Sequence, residues 1–334
     1  MSLGDILNVG FLVTIVAASI RIATPILFAA LGESIAESTG MLNIGIEGMM
    51  AVGAFVGFAV AYWSGDPWAG FVMALVAGGL AGLLSGLIMI ECGADHVVTG
   101  IVMNILCVGL AGLAYGSFFD SSQEIRSIPN MRVLALPWLS TLPVVGRALF
   151  THLPIVYVTF GLVPVCWFIL KRTKWGLDAR AVGENPAAAE SASVNVWRVR
   201  LVGIVIGGAL AGLGGATLSI AQVGGYLDGM TAGRGFIALA IVVFGGLDPW
   251  RVAAASLIFG FAEALELRLQ ALGANVPYEL LLGLPYLLTI IVLALSAGRA
   301  TYPAAINQPY PRRRAQSRRS STASDSRLAA TTIP

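Results

Sequence analysis

Residues 68–90 read WAGFVMALVAGGLAGLLSGLIMI, an apolar run without a single charged side chain. As a helix it would be about 34 Å long at 1.5 Å per residue, enough to cross the roughly 30 Å hydrocarbon layer of a bilayer. Nothing in the run alternates between apolar and polar positions, so a barrel strand is disfavoured. Hydrocarbon offers no water to the backbone, and a helix closes its own hydrogen bonds. Eight further segments repeat the pattern: Asn8–Ala30, Glu47–Trp63, Val97–Gly116, Leu153–Leu170, Leu201–Gln222, Gly235–Gly246, Val252–Gln270 and Leu280–Ala297. The sequence therefore predicts an all-α, polytopic integral membrane protein of about nine or ten transmembrane helices.

Composition agrees. Charged residues make up 11% of the chain and apolar ones 57%, against roughly 25% charged in soluble domains. Too few charges remain to cover a soluble protein of this size. The apolar run that starts near Asn8 continues to Ala30 with no basic stretch before it, so it is read as a retained span rather than a cleaved signal. The 40 glycines, among them Gly78-Gly79, Gly207-Gly208 and Gly214-Gly215, suit close helix packing.

The basic residues set the orientation. Lys171, Arg172, Lys174, Arg180, Arg198 and Arg200 mark a cytoplasmic loop, and the Arg-rich tail, with PRRRAQSRRSSTASDSR at 311–327, marks a second cytoplasmic stretch four spans later. The transmembrane domain is thus expected over 1–299, with a loop over 171–200. Residues 300–334 are expected to form a disordered Arg/Ser-rich tail that places the C-terminus in the cytoplasm. Counting back puts Ser117–His152 outside and Glu91–His96 inside. Nine spans leave the N-terminus outside and ten leave it inside. The difference turns on Gly32–Ile46, too polar for an ordinary span and read as a broken or re-entrant element. A second stretch, GGYLDGMTAGRGFIALAIVVFGG at 224–246, resembles GESIAESTGMLNIGIEGMMAVG at 32–53: each puts a short polar segment before a short apolar one. This suggests an internal repeat with discontinuous helices.

Enzyme signatures are absent. The chain contains no GxxxxGK[ST] phosphate loop, no HExxH and no nucleophile elbow. His96 and His152 have no second ligand at metal spacing, and Cys92, Cys107 and Cys166 form no CxxC pair. No metal, no cofactor and no nucleic-acid partner is expected. The loop KRTKWGLDARAVGENPAAAESASVNVWRVR at 171–200 is more telling. Asn185 is suited to cap a helix and Pro186 to its first turn, and alanines follow. A short helix exposed between two spans is shaped to dock into a groove on another protein. A lipid-surface helix is the alternative, and its alanine face is poorly apolar for that.

Three motifs in order, NIGIEGMMAVGAF at 43–55, GENPAAAESASVNV at 183–196 and GRGFIALAIVVFGG at 233–246, resemble ABC-importer permeases of the branched-chain amino acid and simple-sugar class. Within it, IAESTGMLNIGIEGMM at 35–50 is most similar to the nucleoside and simple-sugar branch. The resemblance covers about 24–297. It implies a permease subunit in the plasma or inner membrane, paired with a second, homologous or identical permease. A separate cytoplasmic ABC ATPase would drive it and an extracytoplasmic solute-binding protein would supply it, with lipid around the whole. It also implies that Gly183, Glu184, Asn185, Pro186, Ala187 and Ala188 couple the chain to the ATPase. Nucleosides, then simple sugars, are the substrates it suggests, with branched-chain amino acids as a third choice.

Polar residues at membrane depth usually face a protein interior or a water-filled path. Asn43, Glu47, Glu33 and Asn104 are the pathway candidates, with Glu37 and Arg234 beside them. Structural roles compete: Asn43 suits a helix cap, and Glu47 suits a backbone amide or an arginine. Asp228 is read as a loop residue facing the binding protein. A secondary transporter or channel independent of ATP is the rival class. It shares broken helices but has no use for a docking helix.

Overall fold

The computed structural model describes residues 9–119, 127–129, 131–135, 146, 149–271, 283, 287, 291 and 302–310. Its helices are α1 (Val9–Ser38), α2 (Ile46–Ser64), α3 (Pro67–Glu91), α4 (His96–Phe118), α5 (Pro154–Arg172), α6 (Lys174–Glu184), α7 (Pro186–Ser191), α8 (Val196–Ala216), α9 (Arg234–Gly245) and α10 (Pro249–Ala271). A π-helical turn, Thr217–Val223, extends α8. Two two-residue strands, β1 (Leu134–Ala135) and β2 (Thr151–His152), pair antiparallel in the connection before α5.

Six helices among the described residues are long and apolar enough to span a bilayer: α1, α2, α3, α4, α5 and α8 with its π extension. α9 has 12 residues, only about 18 Å of helix. α10 matches an expected span in length but carries Arg251, Glu263, Glu266 and Arg268. The ninth expected span, residues 280–297, lies outside the described residues apart from isolated positions.

Caps explain where several helices begin. Asp66 accepts from the Trp68 amide with Pro67 in the first turn of α3. Asp95 accepts from Val97 and Val98 at α4, and these bonds, led by that from Val98, hold its carboxyl below the usual range. Asn195 caps α8 through the Arg198 amide.

α8 is the centre of the bundle, packed by α1, α2 and α3, and glycines let the backbones meet. A side chain on Gly208 would strike the Gly78 carbonyl of α3, and one on Gly215 would strike the Met50 carbonyl of α2. Without a hydrophobic drive between helices in lipid, such close contact is what holds them together.

Two expectations need correction. The polar stretch from Gly32 is not a separate element: α1 continues through it to Ser38, and only the turn 39–45 interrupts. Glu33, Ser34, Glu37 and Ser38 are all buried. The Ser34 and Ser38 hydroxyls donate to the Ala30 and Ser34 carbonyls one turn back, so these two hydroxyls are satisfied within the helix. The second correction concerns the tail. Residues 302–310 pack on the end of the bundle that carries the 171–200 loop, here called the basic end. The Ala305 amide donates to the Gly183 carbonyl at 2.9 Å. Asn307 Oδ1 accepts from the His96 amide, and the Gln308 carbonyl accepts from Arg200 Nη1 at 2.9 Å. The Tyr310 hydroxyl donates to Glu190. The order of this stretch comes from docking, which local composition does not encode. The rest of the expected tail, 311–334, lies outside the described residues.

Arg200 is 2% exposed, so removing its partner is costly. A chain ending at residue 301 should lose about 3 kcal/mol or more against one ending at 310. Thermal unfolding of the two in detergent measures the difference, and equal midpoints would show that the docked stretch contributes nothing.

Candidate functional site

The loop after α5 folds as two short helices joined at one residue. Thr173 caps α6 by accepting from the Gly176 amide at 3.1 Å. Asn185 ends α6 and starts α7, its Oδ1 accepting from the Ala188 amide at 3.0 Å while Pro186 takes the first turn. The expected cap and helix start are therefore both present. Ala189 turns inward onto a small apolar cluster with Ala179, Val182, Val196 and Val199. Glu184, Asn185, Ala187, Ala188 and Glu190 are exposed and Pro186 half-buried. Gly183 differs from the other candidates in this run: it is buried, and a Cβ there would strike the Ser38 carbonyl and come within 3.2 Å of the Gly40 amide nitrogen. The α6–α7 elbow thus rests directly on the α1–α2 turn.

A cavity of about 240 Å³ opens at the same junction, with Ser38, Lys171, Arg180, Glu184, Leu247 and Tyr302 in its wall. Burial, with the Glu37 carboxylate adding to it, raises the Tyr302 phenol above its usual value. His96 is buried beside the turn, its Nδ1 accepting from the Leu42 amide at 3.3 Å.

Two of the pathway candidates, Glu47 and Asn104, hold the starts of helices. Glu47 Oε1 accepts from the Gly233 amide at 2.8 Å and Oε2 from the Gly235 amide at 2.6 Å. Both amides belong to the start of α9, and the carboxylate supplies the cap that Gly233 cannot. Of the alternatives open for Glu47, the backbone amide is the one realised. Gly235 must be glycine for this approach, since a Cβ would come within 2.6 Å of Glu47 Cα. Arg234, between the two, turns instead to Glu263 of α10 at 2.6 Å.

Asn104 does for α2 what Glu47 does for α9. Gly45, which precedes α2, supplies no side-chain cap. From α4, Asn104 Oδ1 accepts from the Gly48 amide and its Nδ2 donates to the Ile44 carbonyl, both at 2.8 Å. Asn43 does not cap α2 with its side chain: its amide donates to Glu33 Oε1 at 2.9 Å and its Nδ2 to Met49 Sδ at 3.3 Å. Glu33 and Glu37 are fully or almost fully buried, and Oε2 of each has no hydrogen-bond partner among the described residues.

The segment 224–233 carries the chain into the bundle. Tyr226 packs on Phe55 and Phe58 of α2, while Gly233 reaches Glu47 near the start of that helix. Over these few residues the chain descends roughly 12–17 Å along α2, and α9 then continues to Gly246 at the basic end. The descent needs unusual backbone: Gly224, Gly229, Ala232 and Gly233 all have positive φ. Asp228 is exposed on this segment, beside Gly112 of α4. It lies in a loop, as read from the sequence, and the descent brings that loop alongside a spanning helix. The pattern D-G within a Gly-rich run was the signal available in the sequence.

Residues 15–293 match the family described as "Branched-chain amino acid transport system / permease component". The chain is 34% identical to the guanosine ABC transporter permease protein NupQ of Bacillus subtilis, over 89% of this chain and 96% of the relative. It is 33% identical to the nucleoside ABC transporter permease protein NupC of Lactococcus lactis, over 87% and 94%. With the glucose ABC transporter permease protein TsgB13 of Haloferax volcanii it shares 25% identity over 82% and 72%. No solved structure matches the chain. Six apolar spans and this match over most of the length lead to one assignment: the chain is a multi-pass membrane protein that belongs to the permease component family of branched-chain amino acid transport systems.

Proposed function

We propose that this chain is the membrane-spanning permease subunit of an ATP-driven importer of nucleosides or simple sugars, working by alternating access. The α6–α7 elbow carries the reading. Its outer surface exposes Glu184, Asn185, Ala187 and Ala188, while its inner corner, Gly183, bears on the Ser38–Gly40 turn. A cytoplasmic ABC ATPase docked on α7 would therefore press on the α1–α2 turn. From there the path runs along the first turn of α2 to Glu47 and the capped end of α9. States that bind ATP unequally supply the driving force. A second permease subunit would complete the pathway, and an extracytoplasmic binding protein would deliver solute to the end opposite the elbow. This reading puts the basic end, and residues 302–310 with it, in the cytoplasm.

The substrate class draws support from relatives that transport nucleosides, guanosine and glucose by name. Physical chemistry points the same way. A broken helix commonly offers its N-terminal amides to an anionic solute group. Here Glu47 already occupies those amides, so α9 offers no such site to an amino-acid carboxylate. An uncharged solute suits the arrangement better.

The test is uptake of labelled guanosine in cells with and without the gene, challenged by unlabelled ribose and leucine. Loss of uptake that nucleosides or sugars compete away is expected. Competition by leucine alone would overturn the substrate class, and uptake that persists without the ATPase subunit would favour a secondary transporter. A second prediction addresses the elbow. Ala188→Pro removes the amide that Asn185 caps and should cut transport about tenfold or more at unchanged abundance in the membrane. Normal transport at normal abundance would sink the coupling role.

A further inference from the structure

Asp228 is an exposed carboxylate at a depth where exposure needs an explanation. Its two oxygens stand 3.4 and 3.5 Å from where a Cβ on Gly112 would be. Gly112 precedes the end of α4 at Phe118 by six residues, so Asp228 lies about 9 Å inside that end of the helix. No cation or hydrogen-bond donor among the described residues reaches its carboxylate. A carboxyl group with no partner among the described residues faces water at this depth, since facing lipid is costly.

The wall beside it is aromatic. Tyr226 lies 4.9 Å from Tyr115 of α4 and 6.0 Å from Phe58 of α2, between ring centroids. Tyr115 is half-buried and lies nearly one turn beyond Gly112 on the same helix. With no side chain at Gly112, the carboxylate lies directly against α4. A carboxylate accepts two hydrogen bonds side by side, which suits neighbouring hydroxyls on a ring. Aromatic faces next to it suit the apolar face of a sugar or a base. We propose that Asp228 contacts the solute in the translocation path, its carboxylate accepting hydrogen bonds from adjacent hydroxyls of an uncharged ribosyl or sugar group held against Tyr115 and Tyr226. The hydroxyl recognition rests on the substrate reading above; the aqueous placement of Asp228 does not.

Two experiments on the assembled transporter separate these parts. In a chain with Cys92, Cys107 and Cys166 replaced by alanine, Asp228→Cys should react with a charged, membrane-impermeant thiol reagent, and guanosine with binding protein should slow the reaction. Failure to label, at rest and during turnover, would overturn the pathway placement whatever solute is carried. In the second experiment Asp228→Asn, which keeps the side-chain shape, is compared with wild type on guanosine and on 2′,3′-dideoxyguanosine. Transport of guanosine should fall about tenfold or more, while the dideoxy analogue, which lacks the paired hydroxyls, should change less than about twofold. An equal fall for both would make Asp228 a structural residue and overturn the recognition. Transport of leucine in place of either nucleoside would remove the substrate reading and the hydroxyl recognition together, with thiol labelling still deciding the placement.

Discussion

Glu47→Ala is expected to abolish transport and to destabilise the folded protein by about 3–5 kcal/mol. The carboxylate accepts from two amides at the start of α9, at 2.8 and 2.6 Å, and is only 8% exposed. A hydrogen bond to a charged group is worth about 1.5–3 kcal/mol, and a buried amide left without an acceptor adds its own penalty. At membrane depth no water replaces the lost acceptor. The carboxylate also sits at the positive end of the α9 dipole, which adds to the loss. Glu47→Gln keeps the shape and one acceptor oxygen, so its effect should be intermediate. Measuring thermal unfolding in detergent beside uptake distinguishes a cap from a solute contact. A weaker apparent affinity for solute with an unchanged unfolding midpoint in Glu47→Ala would show that the cap is not the principal role.

Gly215→Val should keep the protein from accumulating in the membrane at all. A Cβ at Gly215 collides with the Met50 carbonyl of α2, and Gly53 of α2 meets Gly212 of α8 in the same way. Overpacking a well-filled core typically costs about 1–3 kcal/mol. Here the obstacle is backbone, which cannot change rotamer, so α2 and α8 must separate along their length and lose contacts on both sides. Gly109→Val is the control, because a Cβ at Gly109 meets nothing within 4 Å. Membrane abundance of the two variants should differ severalfold or more, and similar abundance would show that the close α2–α8 approach is dispensable.

The elbow was legible residue by residue because its determinants are local. Asn185 caps a helix three residues away and Pro186 fits the first turn whatever surrounds it. The inner contact of Gly183 with the Ser38 turn was not legible, since it joins positions far apart in the chain. The same holds for polar residues at depth. Glu33, Asn43, Glu47 and Asn104 announced that each needed a partner, but not which one. For Glu47 the choice between arginine and amide depended on how far the 224–233 segment descends, and that depends on its positive-φ positions and on the packing of Tyr226 against α2.

What one-dimensional reading settles here is everything that the surrounding medium imposes. Long uncharged runs must become helices because hydrocarbon leaves the backbone no other partner. Family membership was also legible in three ordered motifs. Contacts between distant stretches belong to the folded state alone. The docking of 302–310, a stretch that looks unstructured by composition, arises because Gly183, His96 and Arg200 come together on one surface to receive it. The position of Asp228 beside α4 follows from a descent that local propensity does not encode. In both cases the energy comes from packing and hydrogen bonds across large sequence separations, and composition along the chain is silent about such pairs.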